Sequence, residues 1–379
     1  MSRLHRSASR QMSRPAVTLR NSGSWTFGSP SVLMMYYRAP GELGKELAEM
    51  YECMPHYYKI TNGHGRGAEL LMDAEAAYLQ GAWEKAAVLL ERARADAAGQ
   101  ENMTLCCDFL ALRLALCGKG KEGYDFAAKR AALLQKHDGV QVHLLESIAA
   151  YFYALQGRPE QAPELFREHK LAEVSFFGPC RPMMSLIEQQ VWLAQGEYVK
   201  VIAHSEGLLR RCEAMHYGLV GLQARIQLAA AQLRFGQRAE ARAALAAALL
   251  DAVQDDFWVL FVEQYPALAP LLEGEDWAVC EPRLGPFVAR ILPAGRAFAA
   301  RLGLPTPAPE LPLTDRDREL ARLVAGRCTN KEIAAALYLS EGTVKQYINQ
   351  LYAKLDMGGD PRTRRARLAE WYQKNAPRN

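Results

Sequence analysis

Five glycines recur along the middle of the 379-residue chain at an almost constant spacing. Gly81, Gly118, Gly157, Gly196 and Gly236 are separated by 37, 39, 39 and 40 residues, and each lies between two stretches with helical periodicity. A glycine that ends a helix readily adopts the left-handed conformation that other residues resist. A period of about 34 to 40 residues with such a turn is typical of tetratricopeptide-like hairpins, which stack to bury their apolar faces. The pattern predicts an all-α chain with five stacked hairpins between about residues 67 and 250.

Composition indicates where this array begins and ends. Residues 1–30 contain arginine and serine but no acidic residue and no sustained apolar run, which predicts a basic disordered tail. Residues 31–302 form the predicted helical-repeat domain, with capping helices on both sides of the hairpins. Four prolines within residues 303–312 predict a stiff, extended linker. Residues 313–379 follow as a separate C-terminal domain.

The C-terminal domain has the helix starts and the short turn of a helix-turn-helix module. A hydroxyl residue with an acid three residues later marks a helix start, as in Thr314 with Asp317 and Thr329 with Glu332. Ser340 is a third N-cap. The signals predict four helices, near 315–325, 330–337, 341–355 and 361–374. A tight turn between a short helix and a longer one is the geometry that places the longer helix in the major groove of DNA.

The third of these helices has an apolar side and a polar side. Its apolar stripe, which must face the other helices, consists of Val344, Ile348, Leu351 and Leu355. The first two turns carry Lys345, Gln346 and Asn349 on the opposite side. Lysine donates to the acceptors of guanine, and carboxamides pair with adenine, so these three are the predicted base-reading residues. The alternative is that they are ordinary solvent-exposed residues of an amphipathic helix.

Residues 313–372 resemble the LuxR-type helix-turn-helix domain of bacterial regulators. The resemblance runs through Leu313-Thr314, Glu319, Gly326, the block from Asn330 to Ala334, Ser340-Glu341, the run from Thr343 to Lys345, and Lys354-Leu355. It implies that the third helix contacts bases through the three residues named above. The predicted contacts to the DNA backbone are Thr329, Asn330, Lys331, Ser340, Thr343 and Lys354.

The fourth helix and the turn before it depart from that family. Tyr347 replaces a usual histidine, Asp356 replaces a usual glycine, and the basic run from Pro361 to Arg365 lacks the usual acid after Arg-Thr. Leu368 and Trp371 are the predicted residues of a dimer contact. Because the arginines of this helix would repel one another, we expect the homodimer to form on DNA rather than in free solution.

A helical array joined to such a C-terminus resembles the back half of MalT-like regulators, whose array receives an inducer and whose ATPase module switches the oligomeric state. No G-x-x-x-x-G-K-[ST] phosphate loop occurs here, so the ATPase module is expected to be absent. The chain is then either a short relative or a remnant of a longer regulator. The predicted site for a small-molecule or peptide inducer lies on a concave surface. Its residues are Arg113, Tyr153, Gln189, Trp192 and Arg225, for which ordinary exposed helix positions are the alternative.

Charge separates the regions in the same way. Residues 1–41 hold six arginines and no acid, residues 42–312 hold 27 basic and 34 acidic residues, and residues 313–379 hold 13 basic and 8 acidic residues. The basic C-terminal domain supplies affinity for DNA phosphates. The chain is therefore predicted to be a bacterial transcription regulator, an activator, that binds double-stranded operator DNA and RNA polymerase. The alternative is an interaction scaffold whose helix-turn-helix serves protein docking or dimerisation.

Other functional classes find no support in the residues. No run of 18 apolar residues and no signal peptide occurs, which predicts a cytoplasmic, nucleoid-associated protein that does not use a membrane. The eight cysteines form no C-x-x-C pair. Cys212 and His216 have helical ligand spacing, but two ligands do not make a zinc site. No nucleophile–base pattern is present, so we expect no enzyme activity, no metal and no cofactor.

Overall fold

The computed structural model describes residues 28–120, 123–136, 139–174, 178–305, 315–355 and 361–375. Within these ranges the secondary structure consists of α-helices and short 3-10 turns, without a strand. The all-α class predicted from the sequence is confirmed. The chain divides after Thr306 into two compact units, each of which has its own core.

The described part of the first unit contains fifteen α-helices, α1 to α15. In chain order they are Val32–Tyr36, Leu43–Ile60, Ala68–Leu79, Trp83–Asp96, Glu101–Leu116, Phe126–Gln135, Gly139–Leu155, Glu164–Arg167, Arg181–Gln195, Tyr198–Met215, Gly218–Phe235, Arg238–Ala252, Val259–Glu263, Tyr265–Leu272 and Leu284–Leu302. The helices α3, α5, α7, α9 and α11 pack side by side in that order and form an inner layer. The periodic glycines that follow these five helices all have φ between 68° and 92°, so their predicted left-handed conformation is confirmed.

The third pair of helices is irregular. The glycine spacing predicts a continuous second helix after Gly157, but the structure has a 3-10 turn at Pro159–Gln161, the four-residue α8 and another 3-10 turn at Lys170–Glu173. Ala162 is extended, with ψ 143°, because it precedes Pro163. The two prolines therefore divide this helix into short pieces.

Both ends of the first unit cover the inner layer. The segment from Gly28 to Tyr37, which includes α1, is buried throughout and packs on α3 and α11. From the other end, α13 contacts α3, α14 contacts α11 and α15 contacts α5. The concave surface predicted for the inducer is therefore covered by other segments of the same chain. Ser29 is fully buried and its carbonyl accepts the Cys106 thiol at 3.3 Å, so the disorder predicted for residues 1–30 is wrong for 28–30. Residues 1–27 lie outside the described ranges.

A buried carboxylate of α13, one of the covering helices, is bonded to three helices of the inner layer. Glu263, the last residue of α13, accepts hydrogen bonds from Arg113 at 2.8 and 3.1 Å, from Tyr78 at 2.7 Å and from Tyr151 at 3.2 Å. The Arg113 and Glu263 side chains are 4% and 2% exposed. The guanidinium also lies over the Tyr78 ring, 4.7 Å from its centroid. Both charges are therefore paired and hydrogen-bonded in the core.

The described part of the second unit contains four helices, α16 to α19, whose bounds differ by no more than one residue from those predicted. They are Asp315–Ala325, Asn330–Leu337, Glu341–Lys354 and Pro361–Asn375. Helix α16 packs against the other three, and α17 packs against α18. The predicted apolar stripe is confirmed, since its three residues in α18 and Leu355, which follows that helix, are 0 to 9% exposed in the core of the module.

The paired charges at the centre of the first unit predict a large stability effect. Glu263→Gln leaves the buried Arg113 cation without a counter-charge, and we expect it to lower the free energy of unfolding by about 3–5 kcal/mol. Urea unfolding followed by circular dichroism measures the change. Glu206→Gln is the matched control, because Glu206 pairs with Arg210 on the surface and such pairs contribute about 1 kcal/mol or less. If both variants lost the same free energy of unfolding, a central role for Glu263 would be contradicted.

Candidate nucleic-acid interface

The turn between α17 and α18 is short and closed by side chains. Tyr338 ends α17 in the left-handed region with φ 54°, and its side chain is 96% exposed. The Ser340 hydroxyl then accepts the Thr343 N–H at 3.1 Å and lies 2.7 Å from the Thr343 hydroxyl. The predicted N-cap at Ser340 is confirmed, and it holds the first turn of α18 in place.

The start of α17 is held by a reciprocal cap. The Glu332 N–H donates to the Thr329 hydroxyl at 3.3 Å, and the Glu332 carboxylate accepts the Thr329 N–H at 2.6 Å. That backbone bond holds the pKa of Glu332 below its ordinary value. The capping box predicted here is confirmed. The other predicted cap involves Thr314, which lies outside the described residues.

The predicted base-reading residues lie on the exposed side of α18. Lys345, Gln346 and Asn349 are all exposed, while their neighbours Val344 and Ile348 are buried. Lys345 and Asn349 are one turn apart and therefore share a face. This face presents one ammonium donor and two carboxamides, each with a donor and an acceptor. It is chemically able to recognise the edges of bases in a major groove.

The predicted backbone-contacting residues surround the two helix starts. Thr329, Lys331 and Ser340 are exposed, while Asn330 and Thr343 are half-buried. The side chain of Lys354 lies outside the described residues. The structure adds one residue that the sequence analysis missed, Arg365 of α19, which donates to the Asn330 carboxamide oxygen at 2.9 Å and to the Cys328 carbonyl. Nothing in the local pattern connects positions 35 residues apart, so the sequence held no signal for this contact.

The expected dimer contact is corrected at one of its two residues. Leu368 is fully buried in the core of the second unit, so its side chain offers no surface to a second copy. Its place in α19 is explained by packing within one module. Trp371 is half-buried and remains a predicted pairing residue.

The five residues of the expected inducer site do not line an open surface. Arg113 and Gln189 are 3% and 1% exposed, and the guanidinium of Arg113 is paired with Glu263 of α13. Trp192 is 6% exposed and donates to the His169 ring at 2.6 Å. The remaining two are half-buried: the Tyr153 ring packs on Phe126, and Arg225 pairs with Asp251. The expectation of a concave site built from these residues is therefore corrected.

The described ranges lack two further features. No cluster of three or more histidine, cysteine or acidic side chains there is arranged to hold a metal ion. No helix within them combines the length and apolar character needed to cross a membrane.

Comparison with known proteins identifies the C-terminal domain. Residues 311–363 match the family described as bacterial regulatory proteins, luxR family, so the chain carries a LuxR-type helix-turn-helix domain. An uncharacterised transcriptional regulatory protein of Bacillus subtilis, YvfU, is 41% identical over 75 residues, which is 20% of this chain and 36% of that protein. The DNA-binding transcriptional activator DevR/DosR of Mycobacterium tuberculosis is 42% identical over 65 residues, 17% of this chain and 29% of that protein.

Each of these matches covers a fifth of the chain or less. The transcriptional regulatory protein DesR of Bacillus subtilis is 46% identical over 46 residues, or 12% of this chain and 23% of DesR. The chain thus spans 36% or less of the length of these curated relatives. No solved structure matches it.

The capping box predicts a local stability effect. Thr329→Ala removes the hydroxyl that accepts the Glu332 N–H, and we expect it to destabilise α17 by about 1 kcal/mol, whereas Thr329→Ser keeps the acceptor and most of the stability. Hydrogen exchange of peptides that cover α17 in the full chain measures the difference. If α17 exchanged equally fast in both variants, the cap would not be what holds the helix start.

Proposed function

We propose that this chain is a transcription regulator that binds operator DNA through α18. The observation that carries the proposal is the exposed set Lys345, Gln346 and Asn349 on a capped helix of a LuxR-type domain. In a helix-turn-helix module the helix that follows the turn, here α18, places this face in the major groove. The three side chains would read base edges, because they offer the donors and acceptors that distinguish base pairs there.

Phosphate contacts would position the module on the duplex. The domain carries 13 basic and 8 acidic residues, which favours association with DNA at low salt. Lys331 is exposed next to the start of α17, where the helix dipole also favours an anion. Contacts of this kind fix the register of the module without reading sequence.

Activation is the proposed output. Among the similar proteins, DevR/DosR is named as a DNA-binding transcriptional activator, and the others are named as transcriptional regulatory proteins. We infer that this chain also activates transcription and contacts RNA polymerase. A single module buries about 600–1,000 Å² on DNA, so useful affinity would require two copies on a paired site. Trp371 is the proposed contact between them.

The helical first unit is the proposed regulatory part. Its inner layer is covered by the segment from Gly28 to Tyr37 and by α13 to α15. A small-molecule or peptide inducer would therefore bind at the outer surface or replace a covering segment, rather than enter an open groove. In either case its binding energy would change the packing of the first unit.

The first test of DNA recognition separates base contacts from phosphate contacts. Lys345→Ala and Asn349→Ala should each cost about 1–3 kcal/mol at a duplex selected by the full chain and reduce discrimination against other sequences. Lys331→Ala should weaken binding to all duplexes similarly. It should also lower the slope of the logarithm of the binding constant against the logarithm of salt concentration by about one. Fluorescence anisotropy at several salt concentrations measures both. Proportional losses on specific and non-specific DNA in all three variants would contradict the assigned face.

The second test concerns the regulatory role of the first unit. A fragment of residues 313–379 should bind the selected duplex as the full chain does, since the second unit has its own core. Only the full chain should change its promoter output in cells when growth conditions supply the inducer. Reporter expression from the selected site, driven by fragment or full chain, provides the comparison. An identical output under all conditions would reduce the first unit to a scaffold.

A further inference from the structure

Arg365 connects the last helix of the second unit to the beginning of α17. Its guanidinium donates to the Asn330 carboxamide oxygen at 2.9 Å and also to the carbonyl of Cys328. Arg365 is half-buried, and its two acceptors lie on either side of Thr329, the N-cap of α17. One side chain of α19 thus holds both the turn before α17 and the first side chain of that helix.

The chemistry of this contact determines which way the Asn330 carboxamide is turned. A guanidinium has donors and no acceptor, so only the oxygen of a carboxamide can face it. The Nδ2 group of Asn330 must then point away from Arg365. Within the described part of the chain, no protein acceptor engages that group.

The orientation matters because a phosphate accepts hydrogen bonds and donates none at neutral pH. A carboxamide that presents its oxygen repels a phosphate, whereas one that presents its amide group donates to it. Asn330 is the first residue of α17, where the backbone N–H groups and the helix dipole also favour an anion. Lys331 is exposed beside it.

We propose that Arg365 is a positioning residue for DNA binding, which acts by holding Asn330 with its amide group free to donate to a DNA phosphate. The inference rests on the proposed function of the second unit. Two of the five N–H donors of Arg365 bond Asn330 and Cys328, and the proposed contribution is the geometry that these two bonds impose. Lysine cannot replace it, because a single ammonium lacks the planar fork that reaches both acceptors.

The test measures binding of the full chain to a duplex that the wild-type chain enriches from a random-sequence pool. Arg365→Lys keeps the charge but not the fork, and should weaken binding about tenfold. The salt dependence of binding should stay unchanged, because the charge is kept and a neutral carboxamide releases no counterion from DNA. Arg322→Lys is the matched control. Arg322 pairs with Glu319 on the surface of α16, and the same substitution there should leave affinity unchanged.

A second variant separates positioning from stability. Asn330→Asp keeps an acceptor for Arg365 but removes the amide donor, so the thermal midpoint should be maintained while DNA binding falls more than tenfold. Gln373→Glu adds the same charge at an exposed position of α19 and should have a smaller effect on binding. In the double variant Asn330→Ala with Arg365→Lys, the loss should be close to that of either single change, because both remove one contact.

The outcomes distinguish the inference from the function on which it rests. If the wild-type chain enriches no duplex, the proposed function is overturned and the inference with it. If the wild type binds DNA and Arg365→Lys binds equally well, Arg365 acts through charge alone and the inference is wrong. The inference would also be wrong if Asn330→Asp bound DNA with wild-type affinity. It would be wrong as well if the fold-loss of affinity in the double variant were the product of the two single losses.

Discussion

The first unit depends on the ion pair between Arg113 and Glu263. Burial by itself would lower the pKa of Arg113, but the Glu263 carboxylate beside it raises that pKa well above its ordinary value, so the guanidinium stays charged. Two buried charges are tolerated only when they are paired and their remaining hydrogen-bonding positions are filled. Tyr78 and Tyr151 fill those of the carboxylate. The position of α13 against α3, α5 and α7 is thereby specified by polar groups as well as by apolar packing.

The covering segments explain why the inner layer can be apolar on so many sides. In α5 and α11, buried residues occur around most of the helix, which an open array would expose to water on one side. The covering segments remove that exposure. Similar polar contacts hold the covering segments elsewhere: Gln264 donates to Gln190 at 2.6 Å, and the Leu33 N–H donates to Glu75 at 2.7 Å. The array therefore differs from an open solenoid, whose repeats contact only their neighbours.

The sequence contained the local features of the fold and lacked the contacts between distant segments. The periodic glycines, the capping box at Thr329 and the N-cap at Ser340 were predictable because each depends on residues within a few positions of one another. The covering of the inner layer could not be predicted, because it depends on contacts such as that between Glu263 and Arg113, which are 150 residues apart. For the same reason, polar residues of the inner layer looked like a ligand site. Arg113, for example, is buried because Glu263 of the distant helix α13 packs against it.

The polar residues of the second unit fall into two groups, those that fix the starts of helices and those that project from a helix surface. Thr329, Ser340 and Glu332 bond to the backbone and determine where two helices begin. The exposed residues of α18 then project from a helix whose start and buried stripe are both held. Recognition of bases needs such rigid support, because hydrogen bonds to base edges are lost with small displacements. Arg365 supports a side chain in the same way. It bonds the carboxamide oxygen of Asn330, which leaves the amide group of that side chain as the one that would face DNA. A contact that is invisible in the sequence thus decides whether a residue at a helix start offers a donor or an acceptor.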